Sequence, residues 1–239
     1  MKLNKLVAHR GDNTHYPENT HASIKAALDA GAFFVELDIQ MNASHSLIVF
    51  HDDDYMRMAG IEKSVFETND AEMQNISIHQ PDKFGDKHDP TRVSLLTEVL
   101  NLLKEYPQAK MFIEVKQQSI DHWGIEIVMH KLLECLTDFQ QQTIVISFNR
   151  TVLTVIHDES TLKTGLVFNQ YKQKHLDAAF KIKPDYMICP YKIIPEEMVW
   201  QGNWKWMVYS ANDMELAKKL LKRGDIDLIE TDDICGMSG

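Results

Sequence analysis

The residues able to do chemistry cluster at the ends of short apolar runs. Leu6-Val7-Ala8 leads straight into His9-Arg10-Gly11. A second run, Phe33 to Ile39, carries Glu36 and Asp38, and a third, Met111 to Val115, carries Glu114 and is followed by Lys116. Residues two apart on a strand share a face, so Glu36 pairs with Asp38 and Glu114 with Lys116. Buried carboxylates without partners are costly. Three of them converging on one place need counter-charge: Arg10 and Lys116 supply part, and a hard divalent cation supplies the rest. An all-oxygen set of Glu36, Asp38 and Glu114 suits Mg²⁺ or Ca²⁺ rather than zinc. Each group alone has a plainer reading. Glu36 or Asp38 equally suits a salt-bridged strand end, and Glu114 with Lys116 a structural ion pair. His9 is one of 11 histidines, and His51 with Asp52-Asp53-Asp54 equally suits a solvated turn. Their shared position at strand ends in the first half of the chain favours chemistry.

Bringing these ends together requires a particular architecture. Apolar runs near residues 6, 35, 113, 145, 166, 187, 207 and 228 read as strands, and Leu47 to Phe50 as an extended segment. Helical patterns follow Glu18-Asn19-Thr20 up to Gly31, then span 95–106, 125–136, 152–157, 175–180, 195–200 and 213–221. Strand–helix alternation with short connections implies a parallel sheet. Eight such units in a chain near ~250 residues imply an α/β fold of the (β/α)8 TIM-barrel type, with its site at the C-terminal ends of the strands. A doubly wound open sheet is the alternative, and the lack of G-x-G-x-x-G after the first strand counts against it. The polar stretch from Asp52 to Arg92 reads as an insertion after the second strand, too short and too polar for a core of its own. Residues 1–239 then form one domain. Phe148 and Tyr209, at strand ends, belong toward the pocket, whereas Phe33, Phe34, Trp123, Trp200, Trp204 and Trp206 read as core or barrel wall.

Composition narrows the class. Apolar residues make 44% of the chain and charged residues 25%, which excludes disorder. A net charge of −10 argues against general nucleic-acid binding, which wants a basic stripe. Three scattered cysteines, Cys135, Cys189 and Cys235, offer neither a disulfide framework nor zinc spacing. The basic start at Met1-Lys2 is followed by too short an apolar run for a signal peptide, and no stretch reaches membrane-span length. The expectation is a cytoplasmic protein with a small-molecule partner; a homo-oligomer stays open.

In order, His9-Arg10-Gly11, Pro17-Glu18-Asn19-Thr20, Glu36-Leu37-Asp38, His51-Asp52 and Glu114-Val115-Lys116 resemble the motifs of the glycerophosphodiester phosphodiesterase family. Ser147-Phe148, Tyr209-Ser210-Ala211-Asn212 and Thr231-Asp232 match later segments of the same pattern. Three departures stand out: Asn42-Ala43-Ser44-His45 replaces the usual Thr-x-Asp-Gly, Ser94 the usual Pro before the second helix, and Tyr209 the usual Trp. The resemblance implies metal-dependent hydrolysis of glycerophosphodiesters to glycerol 3-phosphate and an alcohol. It makes His9 and His51 the acid–base pair and Glu36, Asp38 and Glu114 the metal ligands. The residue types agree with this. Imidazole titrates near neutral pH, and Arg10 offers a planar fork and Lys116 a point charge to a phosphate. Phe148 and Tyr209 complete the substrate pocket.

Two other readings compete. A lysophospholipase D-like enzyme would need an apolar groove, which Tyr55, Met56, Met58, Phe66 and Met73 of the insertion could line. A non-catalytic barrel would have lost a histidine or an acidic ligand, and none is lost here.

Overall fold

The computed structural model describes residues 3–238, so Met1 and Lys2 of the basic start lie outside the described residues. Ten strands form in chain order: β1 (Leu6–Ala8), β2 (Phe34–Met41), β3 (Leu47–Val49), β4 (Ser94–Leu95), β5 (Lys110–Val115), β6 (Thr143–Ser147), β7 (Lys163–Val167), β8 (Tyr186–Pro190), β9 (Lys205–Tyr209) and β10 (Leu228–Thr231). Eight of them, all but β3 and β4, pair in parallel around a closed ring. Closure is made by β1, which sets Leu6 opposite Ile229 of β10 and Val7 opposite Phe34 of β2. The expected TIM barrel is therefore present. β3 and β4 extend it as an antiparallel flap: Gln40 of β2 pairs with Ile48, and Val49 with Ser94. The β2–β3 turn places His45 in the left-handed region, at φ 55°. The expected Asp-Gly geometry is thus taken by a histidine, one of the residue types enriched there.

Alternation along each strand separates two cores. Val7, Phe34, Phe112, Ile144, Ile146, Val167, Tyr186, Ile188, Met207 and Leu228 fill the barrel interior. Their neighbours in sequence, such as Val35, Ile113, Val145 and Val208, face the helical layer. Each helix presents a short apolar stripe to that layer: Ile24, Ala27 and Leu28 from helix 21–29, and Val128, Met129, Leu132 and Leu136 from helix 125–136. Side-chain caps start several of them, with Thr20, Asn149 and Asp213 accepting from backbone N–H groups of the first turn.

Two expectations fail. Residues 195–200 are not helical; a short 3₁₀ turn at Tyr191–Ile193 stands upstream instead. The N–H groups of Val199 and Trp200 donate to Asp225 Oδ2 (2.8 Å) and the Tyr171 hydroxyl (2.7 Å), so tertiary partners replace helical ones. The insertion also builds a core of its own. Tyr55, Met58, Val65, Met73, Ile76 and Ile78 pack with Ile48, Phe50 and Val93 beneath short helices at 56–59, 70–73 and 81–84.

Inside the barrel, Gly165 on β7 faces Ile146 and Ile188, whose methyl groups lie 2.8 Å from the position a Cβ would take. Gly165→Ala should overpack this layer and cost about 1–3 kcal/mol. The expected readout is a lower urea midpoint with an unchanged m-value; an unchanged midpoint would show slack in the interior.

Candidate active site

The inward positions of the strands change character toward their C-terminal ends. On β2, Phe34 is followed by Glu36 and Asp38; on β5, Phe112 by Glu114; on β10, Leu228 by Glu230. The apolar filling thus ends in a ring of carboxylates at the mouth. A cavity of about 160 Å³ opens there, floored by Ile146, Val167, Ile188 and Met207. All nine residues singled out in the sequence line it: His9, Arg10, Glu36, Asp38, His51, Glu114, Lys116, Phe148 and Tyr209. Glu230 lines it as well.

The loop after β1 is shaped for this place. Arg10 adopts a left-handed backbone at φ 54°, a conformation that costs a bulky residue of order 1–3 kcal/mol. That turn aims its N–H at Glu36 Oε2, 3.1 Å away. Gly11 follows at φ 80°, where a Cβ would lie 2.4 Å from the backbone carbon of Ser23, so no larger residue fits against the start of helix 21–29. The Arg10 guanidinium reaches Glu18 through Nη1 (2.6 Å) and forms an ion pair with Asp38, its Nε lying 3.0 Å from Oδ2. Asn19, also left-handed, donates from Nδ2 to Asp38 Oδ2 (2.9 Å) and accepts from the Asp38 N–H at Oδ1 (3.1 Å). The Pro17–Thr20 segment therefore does two jobs: Thr20 caps the helix while Glu18 and Asn19 set the guanidinium and a carboxylate.

Both histidines are held by carboxylates through Nδ1. His9 Nδ1 lies 2.6 Å from Asp232 Oδ1, and His51 Nδ1 lies 2.6 Å from Asp52 Oδ1. Asp232 is braced by Asn13 Nδ2 (2.8 Å) and Asn212 Nδ2 (2.5 Å). Asp52 is braced by Arg57, whose Nε lies 2.7 Å from its Oδ2. The same guanidinium donates from Nη2 to Glu18 (2.7 Å), so one insertion residue joins the His51 arm to the Arg10 arm. From β5, Lys116 Nζ contacts Glu114 Oε1 at 2.8 Å and Asp38 Oδ1 at 3.3 Å.

Carboxylate oxygens of Glu36, Asp38 and Glu114 lie within 4.8 Å of one another. Their electrostatics are unequal. Burial raises the Asp38 carboxyl, but Arg10 and Lys116 outweigh it and hold Asp38 well below its ordinary range. Burial together with the charges of Asp38 and Glu230 pushes Glu36 far up. Burial and Asp38 raise Glu114 in spite of Lys116, and burial takes Glu230 to about 7. Among the described residues no Lys or Arg side chain pairs with Glu36, so negative charge exceeds positive at this point. An all-oxygen donor set short of positive charge fits a hard divalent cation.

Sequence reasoning missed Glu230 and Arg57, and took Asp232 and Asn212 only as motif letters. Glu230 stands two residues after inward-facing Leu228, so extending the last strand by one residue would have found it. Arg57 has no comparable signal, because its partners lie 5 and 39 residues away.

A closed parallel barrel with its charged groups gathered at the C-terminal mouth defines a TIM-barrel enzyme with its site at that mouth. The family model described as the glycerophosphoryl diester phosphodiesterase family matches residues 9–235. A glycerophosphodiester phosphodiesterase of Caldanaerobacter subterraneus subsp. tengcongensis is 31% identical over 240 residues, covering 95% of this chain and 93% of its own length. The solved structure of an Oleispira antarctica phosphodiesterase, in complex with the product sn-glycerol-3-phosphate, matches with a TM-score of 0.83 at 20% identity, over 98% of this chain and 94% of that one. A glycerophosphodiester phosphodiesterase structure from Agrobacterium tumefaciens gives 0.76 at 23% identity, over 98% and 99%. The chain belongs to the glycerophosphoryl diester phosphodiesterase family. It is a phosphoric diester hydrolase, and among its described residues no helix is long and apolar enough to cross a membrane.

Burial lowers the His9 imidazole, but the charge of Glu230 and the contact with Asp232 outweigh it and raise it to about 9. The charged form is thus favoured by folding. The stability this contributes is complete below the unfolded value near 6.5 and is lost as pH rises through about 9. In chelator, an NMR titration should place the His9 midpoint near 9 in the wild-type chain and lower in Asp232→Asn. An equal midpoint in both would remove Asp232 as a cause.

Proposed function

We propose that the chain hydrolyses glycerophosphodiesters to glycerol 3-phosphate and an alcohol, with residues 1–239 working as one barrel unit and the 52–92 segment as part of its site. The observation that carries this reading is a single small cavity holding two carboxylate-held imidazoles, an arginine, a lysine and three clustered carboxylates. Glu36, Asp38 and Glu114 would hold the divalent cation, Mg²⁺ or Ca²⁺. Such a cation, when bound, polarises a phosphoryl oxygen and orients a hydroxyl.

The chain's own groups supply the rest. Arg10 uses Nη1 on Glu18 and Nε on Asp38, leaving Nη2 for a phosphoryl oxygen. Lys116 adds a point charge from the β5 side. A diester needs one proton removed from the attacking hydroxyl and one delivered to the departing alkoxide. The carboxylates facing His9, Glu230 and Asp232, favour its protonated form, which suits the acid. His51, held on the opposite loop by Asp52 and Arg57, then serves as the base. Phe148, 45% exposed at the rim, and Tyr209, on the inward face of β9, flank the opening for the alcohol or glycerol.

The soluble, deacylated substrate is favoured over a lysophospholipid. Tyr55, Met58 and Met73 are packed inside the insertion's own core, and Phe66 stacks on His122 at 4.5 Å. None of these side chains lines the cavity.

His9→Ala and His51→Ala should each lower kcat on glycerophosphocholine by about 10²–10⁴-fold with the fold retained. On a diester with a nitrophenol leaving group, which needs no acid, His9→Ala should recover much of its rate and His51→Ala should not. Recovery in the opposite variant would reverse the assignment. Near-normal kcat in either would end it.

Divalent-metal titrations of turnover, following glycerol 3-phosphate release, test the ligand set. Glu36→Gln and Glu114→Gln should require roughly 10–100-fold more metal or fail to saturate. A titration curve unchanged in both variants would remove them as ligands. A lysophospholipid turned over faster than its deacylated counterpart would favour the lipid reading.

A further inference from the structure

A second cluster lies outside the mouth, along helix 21–29. Asp12, His15 and Cys235 line a groove beside this helix, and none of the three lines the catalytic cavity. One donor atom from each, a carboxylate oxygen, a ring nitrogen and a sulfur, lies within 4.8 Å of the other two. Asp12 is at the centre. Its carboxylate lies 3.0 Å from His15 Nδ1 and accepts a hydrogen bond from the Cys235 thiol. Asp12 is only 1% exposed, yet among the described residues no Lys or Arg forms an ion pair with it. A buried carboxylate in that position has no permanently charged partner. The same groove carries His88, whose Nε2 is enclosed with no hydrogen-bond partner among the described residues.

We propose that Asp12, His15 and Cys235 form a binding site for a borderline transition-metal ion of the zinc type, separate from the all-oxygen site of the barrel mouth. Thiolate, imidazole and carboxylate are the three ligand types that Zn²⁺ takes, and three protein ligands leave a fourth position for water or another donor. A sulfur ligand disfavours Mg²⁺ and Ca²⁺ here, whereas the all-oxygen set at the mouth suits them. Binding exchanges the thiol proton, released to solvent, for the metal–sulfur bond, so no oxidant or reductant is involved.

The location gives such a site a role. Asp12 and His15 follow β1 directly after His9-Arg10-Gly11, and Cys235 follows β10 three residues after Asp232. These two loops already meet where Asn13 Nδ2 donates to Asp232 Oδ1 (2.8 Å) and the Thr14 N–H to the Asp232 carbonyl (3.1 Å). An ion shared by Asp12, His15 and Cys235 would cross-link them from the outer side and brace the contact that holds His9.

The test uses the full chain with Mg²⁺ in excess and Co²⁺ as a spectroscopic stand-in. We expect one Co²⁺ per chain, with a thiolate-to-cobalt charge-transfer absorption that Zn²⁺ abolishes by displacement. Cys235→Ser should lose the absorption, His15→Ala should weaken Co²⁺ binding by more than about 10-fold, and Glu36→Gln should keep both. On the unaltered chain, alkylation of Cys235 by iodoacetamide, read by peptide mass spectrometry, should slow in Zn²⁺ but not in Mg²⁺. This arm decides the matter if a variant fails to fold. Absence of the absorption, its survival in Cys235→Ser through another thiol such as Cys135, or a Cys235 alkylation rate indifferent to Zn²⁺ would each overturn the proposal.

Discussion

Mutual repulsion among Glu36, Asp38, Glu114 and Glu230 is the constraint around which the mouth is organised. Two unit charges 4 Å apart interact by about 4 kcal/mol at an effective dielectric near 20. Placing four carboxylates at one opening is therefore unfavourable unless positive charge is interleaved. Arg10 and Lys116 are interleaved; both contact Asp38, and Lys116 also holds Glu114. That leaves Asp38 ionised at the expense of its neighbours, with Glu36 and Glu114 pushed upward. Further positive charge, on His9, on a cation or on both, completes the balance. The same excess of negative charge thus accounts for the raised imidazole and suits the mouth to a bound cation.

Strand geometry puts the carboxylates there without special devices. A period of two carries each inward position from the apolar layer to the mouth, so Phe34, Glu36 and Asp38 are one column, as are Phe112 and Glu114. The unusual backbone is concentrated instead in the β1 loop. Arg10, Gly11 and Asn19 all take positive φ. Held by helix 21–29 on one side and by Asp38 on the other, this loop aims an N–H at Glu36 and a guanidinium at Asp38. The strain at Arg10 and Asn19 is tolerated because each makes several fixed contacts.

This division explains what could be read in advance. Strand columns obey a short-range rule, so Glu36, Asp38 and Glu114 were legible as a converging set, and eight alternating units were legible as a barrel. Glu230 escaped because it lies beyond the apolar run around residue 228, although the strand itself continues to Thr231. The 195–200 segment misled for a different reason. A Pro followed by acidic and apolar residues looks like a helix start, yet Asp225 and Tyr171 satisfy the backbone from outside. The insertion's core was hidden because its apolar residues come from turns and one-turn helices that share no period. Arg57 was hidden because its role exists only in three dimensions.

The insertion consequently belongs to the site and is more than a decoration of the barrel. Its packed interior keeps helix 56–59 in place, and with it Arg57, whose two contacts fix Asp52 and Glu18 relative to each other. Farther along, Lys83 donates to the Asn13 carbonyl at 2.6 Å, pinning the β1 loop on its other flank. Asn13 in turn braces Asp232, the partner of His9. Both imidazoles are thus oriented by carboxylates whose own positions depend on contacts from residues 57 and 83. A barrel alone would place the carboxylate columns, but the relative orientation of the two histidines rests on the segment between β3 and β4.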